Sequence, residues 1–167
     1  VVPADHLLQA VVHRHGRIEA RVQLALIAGW GGTWDGAIAT TVSHDTHNLV
    51  VFGRDPVDMA AAANAVIATH GGVAVVSRGQ VLAQIALPIA GILSDLPAAD
   101  VAEAQRRVLD AARPVGLPEG VLSQPLMQVL ASTLACLPGP HLTDLGLIDG
   151  TTGELITEPV LAGPLGR

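Results

Sequence analysis

Short connections constrain this chain more than any other feature. Its apolar segments 18–26, 37–42, 49–52, 73–77 and 80–87 are joined, apart from one helix-length stretch, by turns and brief polar or glycine-rich loops. A parallel crossover needs a dozen or more residues, so links of hairpin length favour antiparallel pairing over a doubly wound parallel sheet. The expected class is therefore α+β: a single domain with a mostly antiparallel sheet and several packed helices. At 167 residues, one hydrophobic core is the simplest organisation.

The expected elements follow from periodicity and punctuation. Leu7, Leu8, Val11 and Val12, at spacings of three and four within 4–15, predict an amphipathic helix that stops at Gly16. From Ile18 the period changes to two. Ile18, Ala20, Val22, Leu24 and Leu26 alternate with Glu19, Arg21 and Gln23, the pattern of a half-buried strand. Gly29, Gly31, Gly32 and Gly36 surround Trp30 and Trp34 as a flexible turn before the strands at 37–42 and 49–52. Asp55-Pro56 with Asp58 predicts a capped helix through Met59, Ala62, Val66 and Ile67, ended by Gly71-Gly72. A hairpin around Arg78-Gly79 follows. A helix capped near Ser94 or Asp95 then carries Val101, Val108 and Leu109 towards Gly116, with Arg106, Arg107 and Arg113 in its last turns. After a loop-like stretch at 118–125, Leu126, Leu130, Leu134 and Leu137 predict a final helix, and a Gly-, Pro- and Thr-rich tail follows Asp149.

Composition removes several function classes. The net charge of −6 is spread without a run of Lys or Arg, so neither nucleic acid nor an anionic membrane surface is an expected partner. No stretch of about 18 apolar residues and no signal-like N-terminus occurs, so the chain reads as soluble and cytoplasmic. Cys136 is the only cysteine, which rules out an internal disulfide, and its apolar surroundings suggest core filling. Beginning at Val1 rather than at methionine fits processing and also fits a fragment of a longer protein.

Function is expected in the loop Ser43-His44-Asp45-Thr46-His47-Asn48. It gathers two imidazoles, a carboxylate, two hydroxyls and an amide between two apolar strands. Imidazole exchanges protons near neutral pH, and a neighbouring carboxylate can orient it or accept a proton itself. Asx turns and capped strand ends explain the same residues without function. A self-contained metal site is not expected, because three or more ligands in defined geometry cannot be assembled from the loop. His13-Arg14-His15, placed at a helix end, is accounted for structurally. The glycines at 29–36 make neither a dinucleotide fingerprint nor a phosphate loop.

The run Gly36-Ala37-Ile38-Ala39-Thr40-Thr41-Val42-Ser43-His44-Asp45-Thr46-His47-Asn48 resembles the signature of the C-terminal domain of adenine deaminases. The resemblance continues through Asp58-Met59-Ala60, Gly71-Gly72-Val73, the segment from Leu87-Pro88 to Ser94, Pro125-Leu126-Met127, Leu142-Thr143-Asp144 and Gly146-Leu147-Ile148-Asp149. It implies an upstream amidohydrolase barrel as partner. That barrel holds two divalent metals, usually manganese or iron, and a metal-bound hydroxide converts adenine to hypoxanthine and ammonia. None of the barrel ligands is recognisable here, so no cofactor is expected in this chain alone. On this resemblance His44, Asp45 and His47 are candidate catalytic residues, and Ser43 and Asn48 candidate contacts to adenine or a related purine. A homo-oligomer is compatible with it. The alternative is a freestanding ligand-binding or interaction domain without catalytic activity.

Overall fold

The computed structural model describes residues 2–17, 19, 21–29, 34–117 and 130–158. Six strands, β1 (His6–Val12), β2 (Val22–Ala28), β3 (Ala37–Thr40), β4 (Leu49–Gly53), β5 (Gly72–Ser77) and β6 (Gln80–Ala86), form one sheet in the order β2-β1-β4-β3-β5-β6. Every neighbouring pair is antiparallel. Helix α1 (Pro56–Ala68) lies on one face and α2 (Ala98–Val115) is packed on the other. A second, three-stranded sheet consists of β7 (Pro140–Thr143), β8 (Gly146–Asp149) and β9 (Glu154–Leu155). With two helices among the described residues, this is the expected α+β arrangement.

The sheet divides the core in two. Met59, Ala62 and Val66 of α1 pack on Ala39, Val51 and Ala74. Val108 and Ala112 of α2 share the opposite cluster with Ile38, Val50, Phe52 and Val75. Residues i and i+2 of a strand share a face, so the central strands are apolar at nearly every position, with Thr40 and Ser77 at strand ends. That two-sided burial explains the first correction: residues 6–12 are a strand, not a helix. Leu7 and Val11 enter one cluster, while Leu8 and Val12 pack at the other. The resulting Leu-Leu and Val-Val doublets imitate a helical stripe.

Local signals were more dependable. Asp55 caps α1 by accepting from the Val57 amide at 2.8 Å, with Pro56 in the first turn. Asp58 does more than meet the helix dipole: its buried carboxylate accepts from the amides of Arg78 (3.1 Å) and Gly79 (2.6 Å) and fastens the β5–β6 turn. α2 starts at Ala98 behind Pro97 without a side-chain cap, and Ser94 instead accepts from the Leu96 amide.

Further expectations are revised. The period-two alternation in β2 is real, but its apolar side faces outwards: Val22, Leu24 and Leu26 are exposed, while Gln23 is half-buried. The final helix does not continue through Leu134 and Leu137, where three-residue turns take over. Part of the tail is ordered as β9, paired with Ile148 and Asp149. Cys136 is exposed rather than core filling. Ile18, Ala20, Trp30, Gly31, Gly32, the stretch 118–125 and Leu126 lie outside the described residues.

Candidate functional site

The polar loop leaves β3 after Thr40 and enters β4 at Leu49, so two neighbouring central strands fix its ends. Thr41 anchors its first residue. The hydroxyl accepts from the Gly72 amide at 2.8 Å and donates to the Gly91 carbonyl at 2.6 Å. Ser43 is fully buried, and its hydroxyl lies 2.9 Å from that of Thr133, which donates to the Leu130 carbonyl. The loop closes on itself where the His47 amide donates to the Ser43 carbonyl at 2.6 Å.

Residues beyond β1 brace it from outside. Because Val12 pairs with Leu49, the chain after β1 emerges beside the loop. Arg14 donates from Nε to the His47 carbonyl at 2.6 Å and from Nη2 to the Ala90 carbonyl. His15 donates from Nε2 to the Thr46 carbonyl at 2.7 Å. His13 is buried and donates from Nδ1 to Asp144 at 2.7 Å, while its Nε2 accepts from the Arg17 amide. The guanidinium of Arg14 also needs Gly91: a β-carbon there would sit 2.4 Å from Nη2, and φ is +78°. Arg14 thus joins the 43–48 loop to the segment following β6.

The expected site residues fall into two groups. His44 and Asp45 expose their side chains, as does Thr46. Ser43 and Asn48 are buried, and His47 lies between these extremes. The rings of His44 and His47 meet edge to face with centroids 5.3 Å apart. His47 adopts φ +50°, a left-handed conformation that a side-chain-bearing residue holds only when its surroundings impose it. Burial pushes the His47 imidazole below the ordinary histidine range, and His44 and Arg14 add repulsion, against the opposing pull of the Thr41 backbone and Asp45. Its Nδ1 and the Oδ1 of Asn48 are buried without a hydrogen-bond partner.

A loop so arranged can accept hydrogen bonds through a neutral imidazole and a carboxylate, and can pass protons through either. It does not fit a divalent metal. Among the described residues no group of three His, Cys, Asp or Glu side chains is placed to hold one.

The bracing residues escaped the sequence reading. Arg14 and His15 read as helix-end cations, Thr133 carries no signal of its own, and Gly91 stands out only as part of the Leu87–Ser94 segment. The usable signal was order along the chain: once 6–12 is a strand paired with β4, residues 13–15 must lie at the loop's end of the sheet.

Known proteins resemble this sequence. The adenine deaminase C-terminal domain family matches over residues 1–154. The adenine deaminase of Serratia proteamaculans (strain 568) is 50% identical over 161 residues, covering 96% of this chain and 27% of that protein. Adenine deaminase 2 of Rhizobium meliloti (strain 1021) is 48% identical over 165 residues, with 96% and 27% covered. The adenine deaminase of Klebsiella pneumoniae (strain 342) is 49% identical over 161 residues. The chain thus spans about 27% of the length of curated relatives such as the first two.

Proposed function

The chain belongs to the adenine deaminase C-terminal domain family, and on that premise we propose that it completes an enzyme that hydrolyses adenine to hypoxanthine and ammonia. In this reading an upstream part of the polypeptide, an amidohydrolase barrel, holds the divalent metal, manganese or iron. The loop from Ser43 to Asn48 faces that part and helps to close the purine site. His44, Asp45 and His47 accept hydrogen bonds or protons there. Ser43 and Asn48, being buried, shape the loop from beneath.

One observation carries the reading. The main chain of the loop is tied down by Arg14, His15 and Thr41, while the side chains of His44 and Asp45 stay in solvent. A loop with only a structural task has no need to combine a fixed backbone with exposed acid–base groups. The test is kinetic and uses the full-length protein. Asp45→Asn and His44→Gln are expected to lower kcat for adenine by roughly a hundred-fold, the low end of what a positioned acid–base or hydrogen-bonding group contributes. Melting temperatures should stay unchanged, because both side chains are exposed. Wild-type kinetics in both variants would reject the assignment.

A further inference from the structure

The apolar stripe of β2 points to a docking surface. Val22, Leu24 and Leu26 are each more than half exposed, at 60%, 61% and 51%. They lie on one face of an edge strand, beside Val12, Ala10 and Leu8 of β1, with which they pair in register. The other face of β2 is already covered: Ala25 and Ile27 pack on the α2-side core, and Gln23 donates to the Asp144 carbonyl. On the stripe's face, among the described residues, α1 lies over β3 to β6, and only Leu8, Ala10 and Val12 of β1 join its cluster. The alternation is therefore inverted relative to this domain alone. An edge strand that turns its Val and Leu outwards and its Gln inwards has the pattern of a strand buried against something else.

We propose that the stripe seats the polypeptide that precedes this chain. This rests on the reading of the chain as the C-terminal part of a longer enzyme, and the placement of its first residues supports it. Arg54 donates to the carbonyls of Val2, Pro3, Ala4 and His6, fixing the first residues at the Leu8 and Leu26 end of the stripe. The 43–48 loop lies at the opposite end, where Val12 pairs with both Val22 and Leu49. The seven residues of β1 separate these ends by roughly 20 Å at a strand's rise per residue. A body that joins the chain at one end and meets the loop at the other can span both by lying along this sheet edge. The apolar stripe runs along that path.

Thiol labelling in the full-length protein tests this, read peptide by peptide by mass spectrometry. Leu24→Cys and, separately, Leu26→Cys are compared with Val81→Cys at the far sheet edge, each with Cys136→Ser. The β2 thiols are expected to react at least about ten times more slowly than the β6 thiol in the native protein, since reaction waits on local opening. All should react equally in urea. Equal native rates would overturn the proposal. So would protection that disappears on dilution, which would put a second copy on the stripe. Labelling does not depend on turnover, so its outcome is separate from that of the Asp45 and His44 kinetics.

Discussion

Two hairpins of the same sheet are held by opposite means. β5 and β6 are joined by Arg78 and Gly79, both at positive φ as a tight two-residue turn requires, and a single buried carboxylate, Asp58, binds both amides. β3 and β4 are also paired neighbours, yet their connection is a long polar loop held by Arg14 and His15 beyond β1, by its own Thr41 reaching Gly91, and by Thr133. The first hairpin closes through its own two turn residues and one carboxylate of α1, and serves the fold. The second is built around groups that face solvent, and its shape is imposed from a distance.

If that contrast holds, damage to the two braces should appear in different measurements. The largest effect is expected from Arg14→Ala in the full-length enzyme. Losing the bonds to the His47 and Ala90 carbonyls frees the loop, and a displacement of about 1 Å at a reacting group costs on the order of a hundred-fold in turnover. Arg14→Lys should recover little, because an ammonium is one point of charge and cannot reproduce the guanidinium fork. Steady-state deamination of adenine checks both. A wild-type kcat in Arg14→Ala would dissolve the distinction between the hairpins.

Asp58→Ala is the converse. It leaves two amides at the β5–β6 turn without their charged acceptor and should cost about 2–3 kcal/mol of stability, given what hydrogen bonds to an ionised group contribute. Urea unfolding reads it. Turnover below the transition should stay at the wild-type level, and a large fall in kcat would mean that Asp58 also shapes the catalytic face.

The same contrast explains what could be read from the sequence. Asp55-Pro56 and Arg78-Gly79 are legible because neighbours in sequence make those structures, and the strands expected at 37–42 and 49–52 are found at 37–40 and 49–53. β1 was misread because burial on both faces replaced alternation with doublets. In β2 the alternation was legible but its direction was not, since periodicity says that a strand has two faces and not which one is covered. β7 to β9 carry no readable period, because strands of four, four and two residues are too short to show one. The loop itself stood out by its density of functional groups. Its braces did not, because Arg14 is 33 residues from His47 and Ser43 is 90 from Thr133.

The smallest expected effect is a difference in pH dependence, and it bears on His47 alone. Burial, with His44 and Arg14 nearby, holds its folded pKa below the ordinary histidine value. Above about pH 6.5 the imidazole is neutral in both folded and unfolded chains, and its contribution to stability is fully present. As the pH falls, the unfolded chain takes up the proton first, so that contribution is lost until the folded-state pKa is passed. His47→Gln keeps a polar side chain in the loop but removes the titration. Urea unfolding of the full-length protein at a series of pH values on the acid side of neutrality should therefore give a shallower stability loss for His47→Gln than for the wild type. Parallel curves would mean that the loop admits a proton at His47 without resistance. The long hairpin would then lack the low-dielectric base that separates it from the short one.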